Sequence, residues 1–188
     1  QEASDFGCEL MRPATIKTIT LSENEAPHTL EIMPQEGQTH TVTTKWIIDA
    51  SGKAALLAKK LGIQHSIGDE HPTSSVWCRF RNVNDLDSFK SRKMFPSLMK
   101  EVKSIRSTST NHLMGHGWWS WIIPLPDRSF SAGVTWDRRL YDPPAGPNPV
   151  SRLKAHLMSH PVGKLMFEDA IANEDDVFYY KNLIYRAD

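Results

Sequence analysis

Residues 118–124 read Trp-Trp-Ser-Trp-Ile-Ile-Pro, and that run narrows the choice of fold more than any other part of the chain. Trp119 and Trp121 stand two positions apart, so on a strand their indoles project from the same side. Four of the six tryptophans fall between positions 118 and 136. The spacing predicts a strand over His112 to Pro124, a turn at Pro126-Asp127, and a second strand over Ser129 to Trp136. Rigid indoles followed by a proline stop suit a wall against a flat ligand. On periodicity alone they suit a well-packed sheet core equally.

The remaining pattern places these strands in an α+β chain. Gly7 is suited to end a short helix begun in Gln1 to Asp5, and residues Cys8 to Ile19 read as a strand pair or one bent strand, with a break at Pro13. His28 to Met33 alternates as a half-buried strand. Thr39 to Ile48 reads as a third strand, ending in the apolar run Trp46-Ile47-Ile48. Short polar turns join the three into an antiparallel meander. Lys53 to Leu61 has helical spacing with Gly62 as its stop. Ser74 to Val83 is a strand, and Asp85 to Arg106 reads as a charged helical stretch interrupted by Pro96. Asp142 to Pro149 is a proline-rich loop. Val150 to Ala172 gives two helices parted at Pro161, the acidic run Glu174-Asp175-Asp176 a solvated turn, and Val177 to Arg186 a last strand. Together these suggest a largely antiparallel sheet with helices on one face.

Lys plus Arg and Asp plus Glu both number 22 in the 188 residues, giving no net charge. A nucleic-acid binder carries a basic excess or stripe, and neither is visible. No apolar run reaches the roughly 20 residues that cross a bilayer. Only Cys8 and Cys78 occur; they cannot form a disulfide framework and have no metal-ligand spacing. A reducing cytoplasm and two small buried hydrophobes are the simple expectations. His112 and His116 lack a carboxylate partner at metal spacing, so no metal is expected.

A second motif lies in Thr44-Lys-Trp-Ile-Ile-Asp-Ala-Ser-Gly52. A buried strand is expected to end at Asp49-Ala50-Ser51-Gly52, with a helix directly after. Gly52 removes a Cβ that would obstruct close backbone approach, and free N–H groups at the helix start would suit a phosphate or a ribose hydroxyl. An ordinary strand-to-helix turn capped by Ser51 accounts for the same residues.

Both motifs also carry a resemblance. Thr44, Ala50, Ser51 and Gly52 resemble the second dinucleotide-binding motif of flavoproteins with a glutathione-reductase-like FAD domain, in which a three-stranded meander comes before that motif. Trp119-Ser120-Trp121-Ile122-Ile123-Pro124 fits Trp-x-Trp-x-Ile-Pro, the signature of the flavin-dependent halogenases. Thr110 to Gly115 and Ser131 to Val134 resemble the flanks of the tryptophan-halogenase-like subgroup. Geranylgeranyl reductases have Tyr-x-Trp-x-Phe-Pro there and fit less well. The resemblance runs from about Gly7 to Tyr185. It implies FAD as cofactor, contacted by Thr44, Asp49, Ala50, Ser51 and Gly52. It implies an active-site wall of Trp119, Trp121, Ile123 and Pro124 that keeps substrate away from the flavin. The chemistry implied is oxidation of halide by reduced FAD and oxygen to hypohalous acid, which halogenates an electron-rich aromatic, free or tethered to a carrier. A flavin reductase would supply the reduced FAD.

The family's Gly-x-Gly-x-x-Gly strand, its catalytic lysine and its late Gly-Asp motif are not in this sequence. The chain therefore reads as an internal piece. Residues 1–66 would be the late part of the FAD domain and 67–188 the substrate-binding domain, with no catalytic lysine and weak FAD binding at most. A monooxygenase or reductase of the same superfamily and a non-enzymatic ligand-binding module are the alternatives.

Overall fold

The structure is a computed structural model, and it describes residues 3–68, 70–88, 93–101, 105–183 and 185–187. The chain divides into two compact units, Gln1–Gly62 and Ile63–Asp188.

The first unit opens with a single 3-10 turn, Ala3–Phe6, closed by Gly7 at φ +79°. Strands β1 (Ala14–Thr20), β2 (His28–Pro34) and β3 (His40–Thr44) form the expected antiparallel meander. Its ladder runs from Ala14 opposite Pro34 to Thr20 opposite Thr29, and from His28 opposite Thr44 to Ile32 opposite His40. The third strand is shorter than its alternation suggests. It stops at Thr44, and the apolar residues after it do not join a ladder. Trp46 is 84% and Ile48 91% exposed. A strand holds its form through its neighbour's hydrogen bonds, and no described strand pairs with these residues.

The helix expected over Lys53 to Leu61 is also split. A 3-10 turn, Gly52–Ala54, is separated from helix α1 (Leu56–Leu61) by Ala55 in the left-handed region, and Gly62 ends α1 at φ +69°. Leu56 and Leu61 are exposed. Cys8, expected to be buried, is exposed, whereas Cys78 is buried.

The second unit is built on the five-stranded antiparallel sheet β6-β7-β8-β5-β9. Its strands are β5 (Thr73–Arg81), β6 (Asn111–Gly115), β7 (Trp118–Pro124), β8 (Phe130–Asp137) and β9 (Ile171–Leu183). A small pair, β4 (Gln64–Ser66) with β10 (Tyr185–Ala187), lies apart from it in the ladder. The single strand expected over 112–124 is a hairpin. His116-Gly117 makes a two-residue turn, and Gly117 at its second position takes φ +76°, which glycine adopts without strain. Within Asp85 to Arg106, Lys93 and Met94 are helical, Phe95 breaks the run, and helix α2 is Pro96–Glu101, so the helical stretch is interrupted at Pro96 as expected, with the proline at the start of the second piece; residues 89–92 and 102–104 lie outside the described residues.

Helices α3 (Pro149–Ser159) and α4 (Pro161–Phe167) cover one face of the sheet and are parted at Pro161 as the sequence indicates. Asn148 and Ser151 cap α3 reciprocally, with Pro149 at its first position. Under the helices Val76, Cys78, Phe80, Ile122, Ala132, Val134 and Trp136 meet Leu153, Leu157, Met166 and Phe167 in one core. Phe80 meets Phe167 edge-on at 5.1 Å. Glu174, Asp175 and Asp176 lie within β9, not in a turn before it. Opposite β5 the register jumps from Phe80–Ala172 to Cys78–Val177, so the acidic residues bulge from the ladder towards solvent. Asp176 then pairs with Arg79 at 3.0 Å.

Gly163 tests the packing of the two helices. Alanine normally stabilises a helix interior by about 1 kcal/mol over glycine. A Cβ on Gly163 would overlap the carbonyl oxygen of Leu157, a backbone atom that cannot swing aside. Gly163→Ala is therefore expected to destabilise by roughly 1–3 kcal/mol, read as a lower urea midpoint. An unchanged or higher midpoint would contradict this packing.

Candidate functional site

The two faces of the five-stranded sheet obey the same alternation with opposite outcomes. Side chains on one face pack under α3 and α4. The other face carries a row of aromatic rings across four strands. His112 on β6 is directly opposite Trp121 on β7; Trp121 is opposite Gly133 on β8; Gly133 is opposite Trp77 on β5; Trp77 is opposite Phe178 on β9. Trp77 stacks on Phe178 at 5.2 Å and on Tyr180 at 5.4 Å, and it meets Trp121 at 6.3 Å. Trp121 meets Trp119 at 5.7 Å. Trp119 is 42% exposed, and Phe178 and Tyr180 are similarly open.

Gly133 makes the row continuous. Trp121 and Trp77 are separated by a whole strand, roughly 9–10 Å between backbones. They meet because no side chain rises from β8 between them. A Cβ there would collide with the Trp121 ring and the Trp77 Cβ.

Among the expected wall residues, Trp119, Trp121 and Ile123 alternate onto this aromatic face. Pro124 ends the strand opposite Phe130, with the parity of the helix-covered face. Sequence reasoning missed Trp77, Gly133, Phe178, Tyr180 and His112. Alternation within β5 and β9 shows that Trp77, Phe178 and Tyr180 each share a face with their i±2 neighbours. It does not show that β5 lies one strand away from β7.

At the end of the row, the Trp119 indole Nε1 donates to His112 Nδ1 at 2.9 Å. Beneath the sheet a second histidine serves the same strand. Ser120, between the two tryptophans, points to the covered face and is fully buried. Its Oγ lies 2.8 Å from His156 Nε2, and the Tyr141 hydroxyl lies 2.7 Å from His156 Nδ1. His156 comes from α3 and meets the Trp118 ring edge-on at 4.7 Å. Burial pushes its pKa down to about 4, so it is neutral, with one nitrogen donating and the other accepting. Each ring nitrogen has a hydroxyl partner, which is how a buried polar group avoids a desolvation penalty. The strand bearing the exposed indoles is thus tied from below by a hydrogen-bonded core histidine.

The residues expected to hold a nucleotide lie in the first unit. Thr44 closes β3, where its hydroxyl bonds the backbone of Trp46. Asp49 accepts the N–H groups of Ser51 at 2.9 Å and Leu57 at 2.8 Å, and Ser51 Oγ accepts the N–H of Leu56 at 3.1 Å. The Ser51 side chain, then the Leu57 and Ser51 amides, hold the Asp49 carboxyl below its ordinary value. These bonds correct one expectation. The amides of Leu56 and Leu57 at the start of α1 are occupied from within, so that helix end offers them to no phosphate. What remains is a small-residue ledge: Ala50 and Gly52 are exposed, Gly52 has φ +58°, and a Cβ on it would meet open space. Such a ledge admits the close approach of a flat or extended ligand to the backbone, which is the part of an FAD site these residues fit.

A cavity of about 290 Å³ lies elsewhere, between the proline-rich loop and the sheet, lined by Trp136, Pro143, Pro147, Asn148, Arg152 and Tyr179. Arg152 is engaged by Asp142 and the carbonyls of Pro143 and Pro144, and Asn148 caps α3. Its main polar groups are thus already occupied.

No family model matches the chain. Over 110 residues it is 30% identical to the flavin-dependent halogenase chlA of Dictyostelium discoideum, a match spanning 55% of this chain and 17% of that protein. The halogenase PltM, solved in complex with phloroglucinol and FAD, superposes with a TM-score of 0.62 at 22% identity, over 93% of this chain and 33% of PltM. The chain resembles the flavin-dependent halogenases in sequence and in fold. The halogenase-like fold has a wider circle: a flavoprotein/dehydrogenase from Cytophaga hutchinsonii superposes with a TM-score of 0.60 at 15% identity, over 98% of this chain and 40% of that one. The chain spans about a sixth of its curated relative and a third of PltM.

Two outcomes follow from this geometry. Gly133→Ala is expected to part Trp77 from Trp121, seen as a changed near-ultraviolet circular dichroism of the indoles with far-ultraviolet signal retained; an unchanged aromatic spectrum would contradict the contact. His156 is expected to stay neutral down to about pH 4 in the folded chain, while the unfolded chain takes up that proton near pH 6.5. Between those values the unfolded state binds more protons, so this stability is complete above pH 6.5 and falls on acidification, by on the order of 3 kcal/mol at pH 4. An NMR titration of His156 with a midpoint near 6.5 in the folded chain would refute it.

Proposed function

We propose that this chain is a working part of an FAD-dependent oxidoreductase of the halogenase type. The observation that carries the reading is the aromatic row on the open sheet face, built around Trp119 and Trp121 of a motif that fits the halogenase signature at each fixed position. The similarity to chlA supports it from sequence and the superposition on PltM from fold. In this reading the Ala50–Gly52 ledge, with Thr44 at its approach, holds part of the FAD. Asp49 acts differently from the other residues of that motif: it shapes the turn through Ser51 and Leu57. Bound FAD, once reduced by a flavin reductase and exposed to oxygen, supplies the oxidising power that turns halide into an electrophile. The chain's own part is to present a rigid, water-shedding aromatic wall, with Ile123 at its end, against which an electron-rich ring such as phloroglucinol is held flat. The exposed thiol of Cys8, and the buried Cys78, whose pKa burial pushes up to about 12, suit a reducing cytoplasm. Among the described residues no helix is long and apolar enough to cross a membrane.

A second reading is a flavin monooxygenase or dehydrogenase without halide chemistry, favoured by the superposition on the Cytophaga flavoprotein. Halide dependence separates the two. The whole protein, supplied with reduced FAD, oxygen and phloroglucinol, is expected to give a halogenated product by mass spectrometry only when bromide or chloride is present. Trp119→Ala is expected to lower that yield about tenfold or more, through loss of positioning. Halide-independent hydroxylation would select the second reading.

A further inference from the structure

We infer that His112 is a substrate-contact residue that selects an aromatic ring bearing a hydroxyl group, by hydrogen bonding to its oxygen. The inference rests on the reading of the aromatic row as the substrate wall, and it adds the residue that would tell a hydroxyl-bearing ring from a bare one.

Around the indoles themselves most polar groups of the open face are committed; Ser131, opposite Ile123, and Arg81 lie towards the far end of the face from His112. Ser75 Oγ donates to the carbonyl of Val134 at 3.1 Å, and Thr135 Oγ1 to the carbonyl of Ser74 at 3.1 Å. Arg79 is paired with Asp176. The Trp119 N–H is taken by His112. That bond fixes the state of the imidazole. Nδ1 can accept only when it carries no proton, and a neutral imidazole then holds its proton on Nε2. Nε2 lies across the ring from Trp119 and has no hydrogen-bond partner among the described residues, on a side chain that is exposed. His112 also shares the face of Trp121, being its direct cross-strand partner. The edge of the indole platform therefore carries an outward N–H donor held in one tautomer by the platform itself.

A donor of that kind is matched by an oxygen that is a strong acceptor and lies in the plane of a stacked ring. A phenol, and still more a phenolate, meets that description; a hydrocarbon ring does not. Favouring the phenolate form also suits electrophilic attack, since it enriches the ring in electrons. A histidine with its proton on Nε2 serves as donor here and not as base.

The test uses the 188-residue chain with two probes of one shape, 4-nitrophenol and 4-nitrotoluene. Binding is followed by tryptophan quenching, and the phenolate absorbance band of bound 4-nitrophenol reports on its oxygen. The chain is expected to bind 4-nitrophenol about tenfold more tightly, the worth of one hydrogen bond to a charged acceptor, with a shifted phenolate band. His112→Phe is expected to keep 4-nitrotoluene binding and lose both the preference and the shift. His112→Gln, whose amide can accept from Trp119 and donate outward, is expected to keep most of both. Equal binding of the two probes by the unmodified chain, or a preference and shift that survive His112→Phe, would overturn the role of His112 while leaving the aromatic wall standing. Binding of neither probe would overturn the role and the wall together.

Discussion

A strand has two sides, and in this sheet the missing side chain at Gly133 decides what one of them can be. With any Cβ at that position, Trp121 and Trp77 would be held apart by β8, and the aromatic rings would form two islands. Without it, indoles from strands that are not neighbours touch, and the row extends from His112 to Phe178. The covered face holds the complementary constraint. Ser120 is the residue through which the Trp-Ser-Trp segment reaches the core, and His156 with Tyr141 completes a buried polar group that an apolar core would otherwise penalise. Fixed from below and filled from the side, the two tryptophans have little freedom left, as a preorganised wall requires.

Much of this was legible from residues alone, and the failures share a cause. Alternation gave the His28–Met33 strand and the face shared by Trp119 and Trp121, because a period of two is a local property; the strand expected over Ser74 to Val83 is found at Thr73–Arg81. Gly62 and Pro161 gave helix boundaries for equally local reasons. Long-range pairing did not emerge. Glu174 to Asp176 looked like a turn because three acidic residues suit solvent; they reach it by bulging from a strand whose partner lies nearly a hundred residues away. Trp46 to Ile48 looked like a strand interior because the run is apolar, but a strand exists only where a neighbour supplies hydrogen bonds. Trp77 could join the candidate site only once β8 was known to separate β7 from β5.

The Thr44–Gly52 segment shows how one sequence pattern can conceal a different use of its atoms. Small residues at 50–52 do leave open backbone. The amides of the following helix, expected to face a ligand, are instead bonded to Asp49 and Ser51. A carboxylate that holds a turn together is as strongly required by its position as one that binds ribose, so the identity of the residue alone does not distinguish them. The histidines make the same point. His112 and His156 are each one residue in a sequence with eight, and only geometry separates the exposed donor at the platform edge from the neutral ring in the core.

The central claim is that the open face of the sheet receives an aromatic ring in a flavin enzyme. A crystal structure of the whole protein, grown with FAD and a phenol, tests it most directly. The account predicts the phenol ring lying against Trp119 and Trp121, and the flavin nucleotide crossing the backbone at Ala50 to Gly52. Finding Trp119, Trp121 and Trp77 sealed under another segment of the protein, with the phenol elsewhere, would contradict it.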